Sequence, residues 1–510
     1  MDKVLKSDTG SMLRQAQHDK IMLWTQFCHY LPYIVVGLMT IFGFYLRYSG
    51  ITHEASYWND ESHAATYARA IVQTGKPVDA TGYNTGLYQI GLYCVTAVSF
   101  WLLGITEYAG RLPSVLIGTA LIPLIFYITR KIVDTRSALI AALVMACSQM
   151  QLAWSTQLRP YIWMEAFTLI TIYLCYMTLQ EKKRILSIHL IIGAVVASIS
   201  FLFHGIGLFN GIFVIAVFLY RVVREKKYTY LFVLIPITLL IVGALSMTPF
   251  LKSMFVNLFK INTSVTHYWV FLRYHYGWLV IGAVLGSLVL WKTNKYLCVI
   301  LSVGAIGIIA LALFKVNDQY VRYSIGAFPL LYILFAVGVT RLPDVLIKSH
   351  AKRYSASLLL LAILLLFPVA KGKLVFRPQI YYSINADMRE NPIVDYKSAF
   401  KKIQLLTKGD KNVVIFDAIF DRIPWYLPGQ KYILLYKTST EIVHTSTIQG
   451  FENAKSQNMS GIVIVENWPS LTPPDVQEHI RRTLKYEFEM NTVKGNEKDP
   501  WNINVYSWGL

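Results

Sequence analysis

An apolar run, LPYIVVGLMTIFGFYLRY at residues 31–48, is followed a few residues later by a polar cluster, YWNDESH at residues 57–63. The run is long enough to cross a bilayer as a helix. It ends without a small-residue cleavage site, so we interpret it as an uncleaved anchor rather than a signal peptide. Acidic side chains at the edge of a bilayer cost desolvation energy, and Asp60 and Glu61 therefore invite a functional explanation.

The composition indicates a polytopic membrane protein. The 510 residues are 55% hydrophobic and 15% charged, whereas soluble domains carry about 25% charged residues. The net charge of +19 could suggest nucleic acid, but the basic residues cluster in short loops between apolar runs, and the positive-inside rule explains them better. The five cysteines lie in or beside apolar runs, which is typical neither of a disulfide framework nor of a metal site.

The charge distribution predicts how the chain crosses the membrane. The run at 87–103 is ambiguous: if it does not cross, every basic cluster before residue 354 faces the cytoplasm, and if it crosses, the later clusters face outward. We therefore interpret 87–103 as a helix along the outer interface. This gives about eleven spans, with the N-terminus inside and the C-terminus outside. The predicted spans are 31–48, 112–128, 138–156, 161–179, 185–203, 205–220, 228–248, 277–291, 296–314, 323–340 and 356–369.

After Lys371 the composition becomes that of a soluble domain. Short strand-like runs at 413–417, 432–436 and 461–465 alternate with helical patterns at 394–406 and 474–484, which predicts a small α/β domain. The predicted fold is mainly α, a polytopic helical bundle with a C-terminal extracytoplasmic α/β domain. The predicted division is a transmembrane domain at 1–370, with 49–110 as an outer loop carrying juxtamembrane helices, and a soluble domain at 371–510 with an accessory or substrate-gating role.

Two interpretations of the polar cluster stay open on position alone. Asp60 and His63 are three residues apart and would share a helical face, so they could supply two ligands to a divalent ion, although two ligands do not make a site. Alternatively, the acids begin a solvated helix, with Asn59 or Asp60 as its cap and Glu61 complementing its dipole.

Other ionisable residues fall at predicted outer loop tips or just inside spans. Arg159 either extends to the lipid head groups or belongs to a site. Glu165, two turns into a span, needs a partner such as Arg159 or a wet cavity. Arg322 precedes Tyr323 at the start of a span, where a guanidinium is suited to hold a phosphate. His204 is compatible with a structural or a functional role.

Several motifs, taken together, resemble those of the GT-C class of membrane glycosyltransferases. In particular, the chain is similar to the bacterial branch related to protein O-mannosyltransferases and the lipid A aminoarabinose transferase. No single motif is specific, but their order and spacing are. The motifs are NDESHAA at 59–65, RLPS at 111–114, STQLRPY at 155–161, QYVRY at 319–323 with Pro329, DYKSA at 395–399, Gly409-Asp410, and YLPG at 426–429.

The resemblance implies transfer of a sugar, with inversion, from a polyprenyl-phosphate donor. The acceptor would be a glycolipid, polysaccharide or protein at the outer face of the inner (plasma) membrane. Asp60 is then the candidate base, or a metal ligand assisting one, and Glu61 is a second catalytic candidate. Arg159 and Arg322 are the candidates for holding phosphate. The remaining candidates for substrate binding are Tyr323, His204 and Glu165. Asp60 and His63 are the candidates for holding a divalent metal ion, and no other cofactor is expected.

One departure from the family pattern bears on the metal. Related enzymes carry a charged, proline-rich element before the interfacial helix, whereas this chain has YNTGLY at 83–88. Metal dependence is therefore left open. Two other classes also stay open, a polyprenol-linked glycan polymerase or ligase and a lipid or solute transporter. The acidic pair after the first span argues against the former, and polar groups at the outer rim, not mid-membrane, argue against the latter.

Overall fold

The computed structural model describes residues 2–52, 56–79, 82–181, 185–230, 265–315, 321–378, 395–417, 422–434, 452–466, 474–490 and 502–510. Up to residue 370 the described chain is almost entirely helical. Its helices are α1 Asp2–Thr52, α2 Asn59–Thr74, α3 Ile90–Leu103, α4 Glu107–Ile132, α5 Thr135–Cys147, α6 Gln149–Ser155, α7 Tyr161–Gln180, α8 Ile188–Phe203, α9 Leu208–Arg224, α10 Val265–Thr293, α11 Lys295–Lys315, α12 Phe328–Leu346 and α13 His350–Ala370. Short 3-10 segments occupy Gly205–Gly207 and Val321–Ala327.

The predicted multi-pass bundle is confirmed. Seven helical segments within the described residues are long and apolar enough to cross a membrane, and four shorter apolar helices, α3 among them, accompany them. The number of spans stays a prediction, and the predicted span at 228–248 lies almost wholly outside the described residues. Helix α3 has an exposed apolar end at Trp101, Leu102 and Leu103, which is compatible with a place at the membrane interface.

The predicted span at 138–156 is divided into two helices, α5 and α6, by a break at Ser148. A helix end inside the bundle leaves carbonyl groups that need donors. Arg47, fully buried in α1, donates from Nη2 to the carbonyl of Met145 at 3.0 Å and from Nη1 to that of Ala146 at 3.2 Å. The backbone N–H of Val375 donates to the carbonyl of Cys147 at 2.7 Å. The break therefore depends on partners from distant segments.

Helices α10 and α12 pack with their backbones in close contact. A Cβ atom on Gly286 would lie 1.8 Å from the carbonyl oxygen of Leu334, and one on Gly338 would lie 2.3 Å from that of Gly282. Small residues at such interfaces allow the van der Waals contact and carbonyl packing that hold membrane helices together. This contact fixes the position of α12. The 3-10 segment directly before α12 contains Arg322 and Tyr323.

The C-terminal domain contains a five-stranded sheet in the order β2-β1-β3-β5-β4. The strands are β1 Val414–Asp417, β2 Tyr432–Leu434, β3 Gly461–Glu466, β4 Lys485–Met490 and β5 Ile503–Trp508, and the helices are α14 Tyr396–Leu406, α15 Arg422–Tyr426 and α16 Pro474–Thr483. Strands β1, β2 and β3 are parallel, whereas β5 pairs antiparallel with β3 and β4. The predicted strands and helices are found at their expected places, and the antiparallel pair was missed.

Replacing Gly286 by alanine tests the close approach of α10 and α12. The added methyl group meets backbone atoms that cannot rotate away, so we expect a loss of about 1–3 kcal/mol in the free energy of unfolding. Gly307→Ala is the matched control, because a Cβ there has no neighbour within 4 Å and alanine is the better helix former. Thermal unfolding of the detergent-purified protein measures both. Equal midpoints for the two variants would contradict the packing described.

Candidate active site

Helix α2 begins at the polar cluster and gives its two acids different surroundings. Trp58, in extended conformation, precedes the helix, and its backbone N–H donates to Oε2 of Glu61 at 3.2 Å. Successive residues of a helix point about 100° apart, so Asp60 and Glu61 face different directions. Both acids lie in the first turn, where negative charge complements the helix dipole.

Glu61 is enclosed by partners from three segments. Its Oε1 accepts from Nε of Arg111 and from the backbone N–H of Leu158, each at 2.8 Å, and its Oε2 accepts from Nη2 of Arg111 at 2.7 Å. Both side chains of the ion pair are 4% exposed. Arg111 also donates to the carbonyl of Ser56 at 3.0 Å and lies over the ring of Tyr57. Glu61 therefore fastens the start of α2 to α4 and to the loop before α7.

Asp60 is the accessible acid of the pair. Its Oδ2 lies 2.6 Å from Nη1 of Arg159, and the exposed fractions of the two side chains are 37% for Asp60 and 12% for Arg159. Leu158 and Arg159 are neighbours, so two consecutive residues of this loop contact the two consecutive acids of α2. The predicted role of Arg159 as a site residue thus gains a contact, whereas a lipid-facing role does not fit a side chain that is largely enclosed.

A basic and aromatic cluster continues from Arg159 across the loop tips. The cluster consists of Arg159, Tyr161, His204, Arg322 and Tyr323. Arg159 donates from Nη2 to the hydroxyl of Tyr161 at 3.2 Å. The guanidinium carbon of Arg322 lies 5.7 Å from the ring centre of Tyr161 and 5.5 Å from that of Tyr323. The His204 ring is 5.7 Å from Tyr161 and 5.9 Å from Tyr323.

The cluster contains two cations, Arg159 and Arg322, while its histidine, His204, stays neutral. Burial lowers the pKa of Arg159, and the charge of Arg322 lowers it further. Burial, together with the charges of Arg159 and Arg322, lowers the pKa of His204 to about 3, so its imidazole is neutral at physiological pH. Two guanidinium groups within electrostatic reach of each other favour an anion between them, because an anion relieves their repulsion.

Glu165 has a partner, as expected for a carboxylate inside a span, but the partner is Gln151 rather than Arg159. Its carboxylate is fully buried and accepts two hydrogen bonds from Nε2 of Gln151, at 2.8 and 2.6 Å. Arg47 is the cation whose charge reaches it. Glu165 thus belongs to the polar contacts around the α5–α6 break.

Sequence reasoning missed two participants. Arg111 was noted only as part of a motif, although it is the partner of Glu61. Tyr88 interacts electrostatically with Tyr161 and Arg322. The signal available for Arg111 was an arginine directly before a predicted span. The sequence around Tyr88 contained no comparable signal.

The residues expected to hold a metal do not fit one. Asp60 directs an oxygen at Arg159, and the ring of His63 packs on that of Tyr67 with centres 4.8 Å apart. Within the described residues, no three side chains of His, Cys, Asp or Glu come together as a metal-holding group. A divalent ion held by protein alone generally needs more ligands than this pair offers.

Comparison with known proteins bears on the fold. The family model for dolichyl-phosphate-mannose-protein mannosyltransferases matches residues 91–245. No curated protein sequence matches the chain.

Among solved structures, ArnT from Cupriavidus metallidurans bound to undecaprenyl phosphate is similar, with a TM-score of 0.54 and 14% identity, covering 93% of this chain and 97% of that one. The Archaeoglobus fulgidus oligosaccharyltransferase tethered with an acceptor peptide has a TM-score of 0.59 and 13% identity, covering 87% and 70%. AglB from the same organism, in complex with an inhibitory peptide and a dolichol-phosphate, has a TM-score of 0.52 and 12% identity, covering 93% and 75%. The predicted resemblance is confirmed: this chain has the fold of the GT-C glycosyltransferases.

The two adjacent acids are expected to differ in their effect on stability. Glu61→Gln leaves the guanidinium of Arg111 buried without a counter-charge, which should cost about 3–5 kcal/mol. Asp60→Asn removes a partly exposed ion pair, for which about 0–1 kcal/mol is expected. The thermal unfolding midpoints of the two purified variants, each against wild type, measure the difference. A Glu61→Gln protein as stable as Asp60→Asn would contradict the division of roles drawn from the contacts.

Proposed function

We propose that the protein transfers a sugar, with inversion, from a polyprenyl-phosphate donor to an acceptor at the extracytoplasmic face of the inner membrane. The observation that carries the proposal is the position of Arg159: it contacts Asp60, and it packs on the ring of Tyr161, which Arg322 and His204 also contact. The carboxylate of Asp60 therefore lies next to the candidate site for an anion. The similar folds of an enzyme bound to undecaprenyl phosphate and another in complex with dolichol-phosphate support a lipid phosphate as the anion.

In this proposal Arg159 and Arg322 hold the phosphate of the donor. Guanidinium groups bind phosphate oxygens with paired, charge-assisted hydrogen bonds. The neutral imidazole of His204 and the hydroxyl of Tyr323 complete the enclosure. The negative charge that stays on the lipid phosphate when the sugar leaves is stabilised by the two cations, which is where a site of this kind gains most of its rate.

Asp60 acts as the base. When phosphate oxygens occupy the N–H groups of Arg159, the Asp60 carboxylate is released and can accept the proton of the acceptor hydroxyl. The acceptor oxygen bonds to the anomeric carbon as the bond from that carbon to the phosphate oxygen breaks, and inversion follows from attack opposite the leaving group. Glu61, whose oxygens are occupied by Arg111 and Leu158, orients Asp60 and takes no part in proton transfer.

The orientation of the chain and the class of acceptor are part of the same proposal. The basic clusters favour a cytoplasmic N-terminus, which places α2, the loop tips and the C-terminal domain outside. A glycolipid, a polysaccharide and a protein can each offer a hydroxyl group as the nucleophile. A lipid-linked donor made in the cytoplasm needs a separate flippase to reach this face.

Asp60→Asn is expected to lower the rate of sugar transfer at least 100-fold, since a positioned base contributes about 10²–10⁴-fold. The measurement is transfer of a radiolabelled sugar from polyprenyl-phosphate donors in proteoliposomes containing a membrane extract as the acceptor source. Asp79→Asn is the control, because Asp79 is an acid of the same outer loop that accepts from the backbone N–H of Tyr83. No transfer by wild type from any donor, or full activity in Asp60→Asn, contradicts the proposal.

A further inference from the structure

We infer that the C-terminal domain positions the Asp60 segment for transfer, through Trp425 and Tyr426 of helix α15. The inference rests on the proposed function, in which Asp60 is the base. The segment concerned is residues 56–69. It consists of the residues just before α2 and the first part of α2, and it contains Asp60 and Glu61. None of the candidate residues predicted from the sequence lies in this domain.

Tyr426 supplies a backbone hydrogen bond that the segment cannot make for itself. The backbone N–H of Tyr57 donates to the hydroxyl of Tyr426 at 2.8 Å, and that hydroxyl donates to Oε1 of Glu107 at 2.6 Å. Burial and the nearby Glu107 carboxylate raise the pKa of the Tyr426 hydroxyl well above its usual range, so the hydroxyl keeps its proton. Tyr57 is fully buried, and a buried N–H without an acceptor is costly.

Trp425 fills the space between α2 and α3. Its ring centre lies 5.0 Å from that of Tyr57 and 5.9 Å from that of Phe100, stacked on the latter. Arg69, further along α2, lies over the same ring and donates to the carbonyls of Trp425 at 3.3 Å and Pro424 at 2.5 Å. One short helix of the C-terminal domain therefore holds α2 on both sides of Asp60.

A second contact from the same domain holds the residues just before α2. The backbone N–H of Lys397 donates to Oγ of Ser56 at 3.0 Å, and the ring of Tyr396 lies 6.4 Å from that of Trp58. Because Trp58 lies two residues before Asp60, a shift of these contacts would move the carboxylate relative to Arg159. Misplacement by about 1 Å of a reacting group can cost roughly 100-fold in rate.

The test compares Trp425→Ala and Tyr426→Phe in the full-length protein with matched changes elsewhere in the same domain. Trp508→Ala removes a tryptophan that packs on Gly461 and belongs to a different apolar cluster from the one that includes Trp58, and Tyr486→Phe alters an exposed tyrosine. We expect kcat to fall roughly 10- to 100-fold in Trp425→Ala and less in Tyr426→Phe. The KM for the donor should not rise, because Arg159 and Arg322 are untouched and a displaced Asp60 competes less with the phosphate for Arg159; Trp425→Phe should keep most of the activity that Trp425→Ala loses.

Hydrogen exchange of the backbone amides of residues 57–66 gives a readout that does not need activity. Exchange should be faster in Trp425→Ala and Tyr426→Phe than in their controls. Wild-type kcat in both variants, or equal losses in Trp425→Ala and Trp508→Ala, overturns the inference. If Asp60→Asn abolishes transfer while these variants keep it, only the positioning role fails. If wild type transfers no sugar, the proposed function fails, and unchanged exchange in both variants then overturns the positioning as well.

Discussion

The buried ion pair between Glu61 and Arg111 is the interaction on which the site depends. It joins the first turn of α2 to the start of α4, and through the backbone of Leu158 it also joins the loop before α7. A carboxylate buried in this way is stable only while every oxygen has a donor. The fixed position of Glu61 determines where its neighbour Asp60 points, and Asp60 therefore meets Arg159.

The two adjacent acids, Glu61 and Asp60, have different surroundings. Glu61 has its hydrogen bonds filled by internal donors, whereas Asp60 shares one guanidinium and stays accessible to solvent. A phosphate that competes for Arg159 would free Asp60 at the moment the donor is in place. In the proposed mechanism, the contact between Asp60 and Arg159 would couple binding of the donor phosphate to release of the base.

Much of the fold could be predicted from the sequence, because apolar runs and flanking charges follow directly from the cost of burying polar groups in lipid. The strands between 413 and 465 and the helices at 394–406 and 474–484 were equally predictable from local periodicity. The break at Ser148 could not be predicted, since its donors come from Arg47 and from residues after α13. The pair β4 and β5 was missed because KYEFEM at 485–490 alternates charged with apolar residues and contains no apolar run.

In the candidate site, too, individual residues could be predicted from the sequence, whereas their distant partners could not. Asp60, Arg159 and Arg322 were identifiable because charged residues near a bilayer are costly, and the structure brings them together with His204 and Tyr323. The partner of Glu61 lies 50 residues away in the chain, and the contacts of Trp425 lie more than 300 away. Such pairings depend on tertiary structure alone, so a local pattern carries no trace of them.

The most direct test is a cryo-electron microscopy structure of the full-length protein with undecaprenyl phosphate in lipid nanodiscs. The account predicts phosphate oxygens within hydrogen-bonding distance of the guanidinium groups of both Arg159 and Arg322. It also predicts that Asp60 is no longer paired with Arg159. A phosphate bound away from both arginines, or an Asp60–Arg159 contact that persists beside the bound phosphate, would contradict it.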